Sequence, residues 1–312
     1  MKKDRIAVFN SATELLFMGS DFNRQVRHWL LAIRPKTLGI SLAPVLVGSA
    51  LAWSEQQELH WLPALAALIA ALLIQIGTNL HNDAADFERG ADTHERLGPK
   101  RATAQGWFTA AAVKRAAKIS FSLAFLTGIY LAMIGGWPII IIGLLSLTAG
   151  YAYTGGPRPI AYSASGELFV FIFFGLFAVM GSYYIQTLSL SLNIFFSACA
   201  VGFLAAAVLL VNNYRDLDSD VKASKFTLTN YLGRKNSRYL YMVLLLVPFT
   251  LPMALQTSSD NNWLILSALP LALLLLYRLT TLQPGPVFNQ ILAHTAQLQL
   301  LFSALLSVSL II

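Results

Sequence analysis

The sequence predicts an all-α, polytopic membrane protein, and three observations carry that prediction. Of its 312 residues 56% are hydrophobic and only 12% are charged, where a water-soluble domain carries about twice that charged fraction. Mean hydropathy is +0.61. The apolar residues run in long blocks and not in alternating stripes, and about 20 apolar residues cross ~30 Å of hydrocarbon as one helix.

Nine such blocks predict nine transmembrane helices, at about 29–53, 61–82, 116–135, 137–154, 166–187, 194–214, 239–256, 262–280 and 290–311. The N-terminus is polar and charged (Lys2, Lys3, Asp4, Arg5), and no short apolar run with a cleavage site follows it. Residues 1–28 are therefore expected to form a cytosolic tail, and 29–312 one transmembrane domain. The gaps between spans alternate in character. The first holds Glu55 and Glu58 without Lys or Arg, and 83–115 is long and basic. Gly135-Gly136 makes an uncharged turn, 155–165 carries Arg158, and 188–193 is uncharged. The gap at 215–238 is again long and basic, 257–261 has only Asp260, and 281–289 follows Arg278. All 22 Lys and Arg residues thus fall near or within alternate gaps. Positive charge stays on the cytoplasmic side of short loops, which puts the N-terminus inside and the C-terminus outside, as an odd span number requires. The same asymmetry accounts for the net charge of +7. Membrane lipid is the expected partner of these basic groups, and no nucleic acid is expected. Cys199, the one cysteine, lies in an apolar block and reads as a packing residue.

Two polar clusters close even-numbered spans. Asn79, Asp83 and Asp86 are spaced i, i+4, i+7 and share a helix face, with Asn82 at its flank. Asn212, Asn213, Asp216 and Asp220 form a second stripe, with Asp218 on the opposite side. Either cluster alone is equally well a polar helix end facing water. Together they share spacing, membrane side and a basic sequel. Carboxylates one turn apart repel unless a cation lies between them. Magnesium takes one or two carboxylates and completes its shell with water and phosphate oxygens. Two facing stripes could therefore hold Mg2+ ions bridging a diphosphate.

Many of the basic residues suit headgroup anchoring. Lys100, Arg101, Arg158 and Arg215 stand apart by nearness to carboxylates or confinement to a short loop, and Lys222 follows the second cluster directly. Such groups could stabilise a departing diphosphate.

These residues match a known family. The sequence resembles the UbiA superfamily of intramembrane aromatic prenyltransferases, most closely its branch acting on 1,4-dihydroxy-2-naphthoate. The resemblance runs from about Trp29 to the end. It rests on Ala32 to Leu38, on NLHNDAADFERGADTHERLGPKR from Asn79 to Arg101, on Tyr151 to Gly166, and on NNYRDLDSDVKASKFTLTNYLG from Asn212 to Gly233. It implies nine helices around a central cavity, capped by cytosolic motif loops, in a bacterial inner membrane. It implies Mg2+ held through the diphosphate by Asp83, Asp86, Asp216 and Asp220, flanked by Asn79, Asn82, Asn212 and Asn213. The substrates implied are a prenyl diphosphate and an aromatic acid; carbon dioxide and diphosphate leave. Tyr151 and Tyr153 are candidates for the wall around the allylic cation, and Arg158 for the acceptor's carboxylate. Many superfamily members have a third Asp where this chain has Gly90, as the naphthoate branch tends to. Roles for Asp92, Glu167 and Asp218 stay open, as do prenyl length and other acceptors such as 4-hydroxybenzoate or homogentisate. A cation transporter with paired Asn/Asp stripes is the remote alternative.

Overall fold

A computed structural model describes residues 23–91, 98–255 and 261–312. Most of the expected tail, together with Asp92 and Asp260, lies outside the described residues. A short helix, α1, spans 23–32 and so crosses the expected tail boundary at 28. The chain breaks at Arg34, which takes a left-handed φ of 57° immediately before Pro35.

Eight helices long and apolar enough to cross a membrane follow among the described residues. They are α2 (Pro35–Gln56), α3 (Trp61–Glu88), α4 (Ala110–Ala152), α5 (Gly166–Thr187), α6 (Leu192–Lys222), α7 (Leu228–Ala254), α8 (Asn261–Thr281) and α9 (Phe288–Ile311). The chain is an integral membrane protein. Its nine expected spans are present, because α4 contains two of them. Gly136 breaks α4 with φ 62° and ψ −149°, a conformation that glycine adopts without a Cβ penalty. Phe121 and Gly150 would be ~44 Å apart along a straight helix. Instead, a Cβ on Gly150 would meet the Phe121 ring at 3.2 Å. The two arms therefore run back along each other as a hairpin.

Length explains where the polar clusters sit. Asn79 on α3 and Asn212 on α6 each come about 18–20 residues after their helix begins, which is ~27–30 Å along the axis. Both helices continue past their apolar blocks by two turns or more, so the clusters are helical. Hydropathy ended these spans at 82 and 214; backbone hydrogen bonding carries them to Glu88 and Lys222.

Packing places α3 against α4, α2 against α9 and α5, and α6 against α5, α7 and α9. The α5–α6 contact brings two backbones together. A π-helical stretch, Phe171–Phe177, widens α5 and brings Gly175 onto Gly202. Small residues at such crossings let backbones touch where the hydrophobic effect between helices is absent. A Cβ on Gly202 would lie 2.9 Å from the Phe171 carbonyl oxygen and 3.0 Å from Gly175 Cα. Gly202→Ala is therefore expected to cost ~1–3 kcal/mol, read as a lower unfolding temperature of the detergent-purified protein; an unchanged temperature would contradict this contact.

Candidate active site

Helices α2 to α6, with Leu292 of α9, enclose a cavity of about 890 Å³. Its far end is apolar, lined by Leu131, Met133, Ile139 and Ile185 near the α4 hairpin turn. Its middle carries Phe173, Phe174 and Phe177 of α5. Its near end is polar: the start of α2, the ends of α3, α4 and α6, and the segments that follow them all meet there.

On the α3 wall, Asn79, Asn82 and Asp86 line the cavity. Asn79 donates to the Ile33 carbonyl at 3.0 Å and to Thr37 Oγ1 at 3.2 Å. Asn82 Oδ1 accepts from Arg34 at 3.2 Å and from Arg101. Asp86 accepts from Arg101 Nη2 at 2.8 Å and from the Tyr162 hydroxyl at 3.0 Å. Asp83, expected on this face, is turned aside. It is 1% exposed and does not line the cavity. Its carboxylate accepts from Ala102 N at 2.8 Å, Thr103 N at 3.0 Å and Thr103 Oγ1. Spacing i, i+4, i+7 leaves a stripe about 100° wide, with Asn82 and Asp83 on opposite edges, and the 101–103 segment takes the Asp83 edge. Asp83 thus holds the segment that carries Arg101.

On the α6 wall, Asn212, Asn213, Asp216 and Asp220 all line the cavity. Arg215 grips Asp216 with two bonds, Nε to Oδ1 at 2.7 Å and Nη2 to Oδ2 at 2.5 Å. The same guanidinium donates to Asn212 at 2.9 Å and to Asn289 of α9 at 2.7 Å. It is buried behind Asp216 and does not itself line the cavity. Asp220 pairs with Lys225 at 3.1 Å. Asp218 lies on the outer side, 79% exposed, paired with Arg234.

Both clusters therefore open into one end of one cavity. Arg101 and Tyr153 join them there, while Tyr151, Lys100, Arg158 and Lys222 are exposed and outside its lining. Two basic residues and a tyrosine of the lining, Arg34, Lys225 and Tyr162, stand outside the set expected from the sequence. Arg34 stands in the Ile-Arg-Pro-Lys stretch at the cytoplasmic mouth of the first span, which was the available signal. Tyr162 is delivered by Arg89, whose guanidinium donates to the Thr154 and Gly156 carbonyls and lies 5.5 Å over the Tyr162 ring. Lys225 reaches back over the turn at Ser224, φ 54°.

The acidic groups facing the cavity are all carboxylates, and the flanking donors are amides and hydroxyls. This is a hard, all-oxygen set that suits Mg2+ and not a soft ion. Among the described residues no three His, Cys, Asp or Glu side chains converge closely enough to hold an ion alone. A cation here would share its shell with oxygens of a bound ligand, which is how Mg2+ binds on phosphates.

The sequence pattern of the UbiA prenyltransferase family matches residues 41–285. The 1,4-dihydroxy-2-naphthoate octaprenyltransferase of Escherichia coli is 40% identical over 252 residues, covering 78% of this chain and 82% of that protein. Its counterpart in Haemophilus influenzae is 34% identical over 301 residues, covering 93% and 97%. A solved UbiA homolog from Archaeoglobus fulgidus, bound to GPP and Mg2+, superposes with a TM-score of 0.65 at 17% identity, covering 91% of this chain and 99% of that one. At that identity the likeness speaks for the fold.

Removing the Asp83 carboxylate should release the 101–103 segment. Hydrogen bonds to a charged acceptor contribute about 1.5–3 kcal/mol each. Asp83→Ala should then speed tryptic cleavage after Arg101 at least ~10-fold, because protection falls with the free energy of local opening. Mass spectrometry of the fragments reads this directly, and an unchanged cleavage rate would reject the clamp.

Proposed function

We infer the reaction from one premise: the chain belongs to the UbiA prenyltransferase family. We propose that it transfers a prenyl group from a prenyl diphosphate to 1,4-dihydroxy-2-naphthoate, releasing diphosphate and carbon dioxide, in quinone biosynthesis of the menaquinone type. The observation that carries this reading is the shared cavity, carboxylates at one end and apolar walls along the rest.

The chemistry divides along that cavity. Asp86, Asp216 and Asp220, flanked by Asn82, Asn212 and Asn213, would hold Mg2+ on the diphosphate. Magnesium supplies the pull that draws electrons onto the leaving group. Arg101 and Lys225 line the same end and neutralise charge as the C–O bond breaks. The prenyl tail lies along the phenylalanines of α5 and the apolar arms of α4. Apolar walls keep water from quenching the allylic carbon, and the Tyr153 ring offers it a π face. The electron-rich acceptor ring attacks through the carbon bearing its carboxylate; the new C–C bond forms, the carboxylate leaves as carbon dioxide, and its electron pair restores the ring. The acceptor's anionic group lies toward Arg34, which takes the role expected of Arg158. The excess of Lys and Arg around the polar end supports a cytosolic orientation for it, in the cytoplasmic membrane of a bacterium.

Two outcomes test this. Purified protein given Mg2+, dihydroxynaphthoate and a prenyl diphosphate should yield the decarboxylated prenyl product by mass spectrometry, with Asp216→Asn at least ~100-fold slower, about 2.7 kcal/mol in the barrier. Product formed only from 4-hydroxybenzoate or homogentisate would overturn the acceptor. Arg34→Ala should raise the acceptor KM ~10-fold or more, the loss of one charge-assisted contact, with Arg158→Ala unchanged. The reverse pattern would reject the placement of the acceptor.

A further inference from the structure

One buried acid in this region belongs to neither cluster. Glu167 stands in the first turn of α5 and is 4% exposed. A helix dipole favours an acid at that position, but does not require it to be buried. Burying a carboxylate is costly unless its oxygens are engaged. Glu167 Oε1 accepts from Asn213 Nδ2 at 2.9 Å, and Oε2 has no hydrogen-bond partner among the described residues. Glu167 does not line the cavity; Asn213 does.

The pairing fixes which end of the Asn213 amide is presented. A carboxylate only accepts, so it commits the Nδ2 end. The opposite end, Oδ1, makes no hydrogen bond and is not sealed in the protein interior, which leaves it facing the cavity. Asn213 and Asp216 are three residues apart on α6, about 60° around the helix. An amide oxygen has nothing to donate to diphosphate oxygens, which also accept. Beside a carboxylate in an all-oxygen set, it matches a hard cation.

We propose that Glu167 is a positioning residue: it holds the Asn213 amide with its carbonyl oxygen toward the cavity, where Asn213 and Asp216 together present oxygens to the divalent cation. This rests on the metal–diphosphate reading above. It adds an acid that never touches substrate, on a different helix from the ligands it serves. Partners of this kind typically alter metal affinity ~10–100-fold when removed.

The test uses the purified, full-length protein with Mn2+ and inorganic pyrophosphate. Mn2+ binding is read by electron paramagnetic resonance, alongside the Mg2+ dependence and acceptor KM of turnover. Glu167→Ala and Asn213→Ala should each weaken Mn2+ binding at least ~10-fold and leave the acceptor KM unchanged. The double variant should be no weaker than Asn213→Ala alone, since coupled groups are not additive. Glu167→Gln, whose side-chain carbonyl can still accept from Asn213, should return most of the affinity. Additive losses in the double variant, unchanged Mn2+ binding in Glu167→Ala, or a Glu167→Gln variant as weak as Glu167→Ala would each overturn the positioning role. Wild-type protein that binds no Mn2+ with pyrophosphate would overturn the metal reading itself, a separate outcome.

Discussion

Three acidic side chains at one end of a membrane-embedded cavity set the terms for the rest of this structure. Asp86, Asp216 and Asp220 face a common space, and each is matched by a cation from its own cluster or its sequel: Arg101, Arg215 and Lys225. Ionised groups near hydrocarbon survive only when paired or near water. The arrangement of the surrounding loops follows from that requirement. Arg101 arrives on a segment clamped by Asp83, and Lys225 arrives over a strained turn at Ser224.

The three pairs are not alike. Arg215 is sealed behind Asp216 and tied across to Asn289 of α9, so it shapes the wall and stays there. Arg101 and Lys225 lie in the cavity lining itself. These two face the space that a ligand in the cavity would occupy.

Much of the fold was legible because hydropathy and the positive-inside bias act on whole segments. The hairpin at Gly135-Gly136 was visible as an uncharged glycine pair between two apolar blocks. The helical extensions carrying the clusters were not, since hydropathy ends where charge begins while backbone hydrogen bonding does not. At the site, the second stripe was readable in full. The first was readable only to within its own width, and the difference between Asn82 and Asp83 was decided by a segment about 20 residues away. Lys100 and Arg158 show the limit of arguing from proximity in sequence: Lys100 is adjacent to Arg101 yet exposed, and Arg158 sits on a short loop whose hydrogen bond to the site comes from Tyr162. Long side chains on loops take directions that only tertiary contacts decide.

The Asp83 clamp has one more consequence. It fastens the backbone at 102–103 to the same helix that carries Asp86, so the arginine and its carboxylate ride on one rigid piece. Arg101 therefore follows any movement at the end of α3 together with Asp86, and their separation is kept.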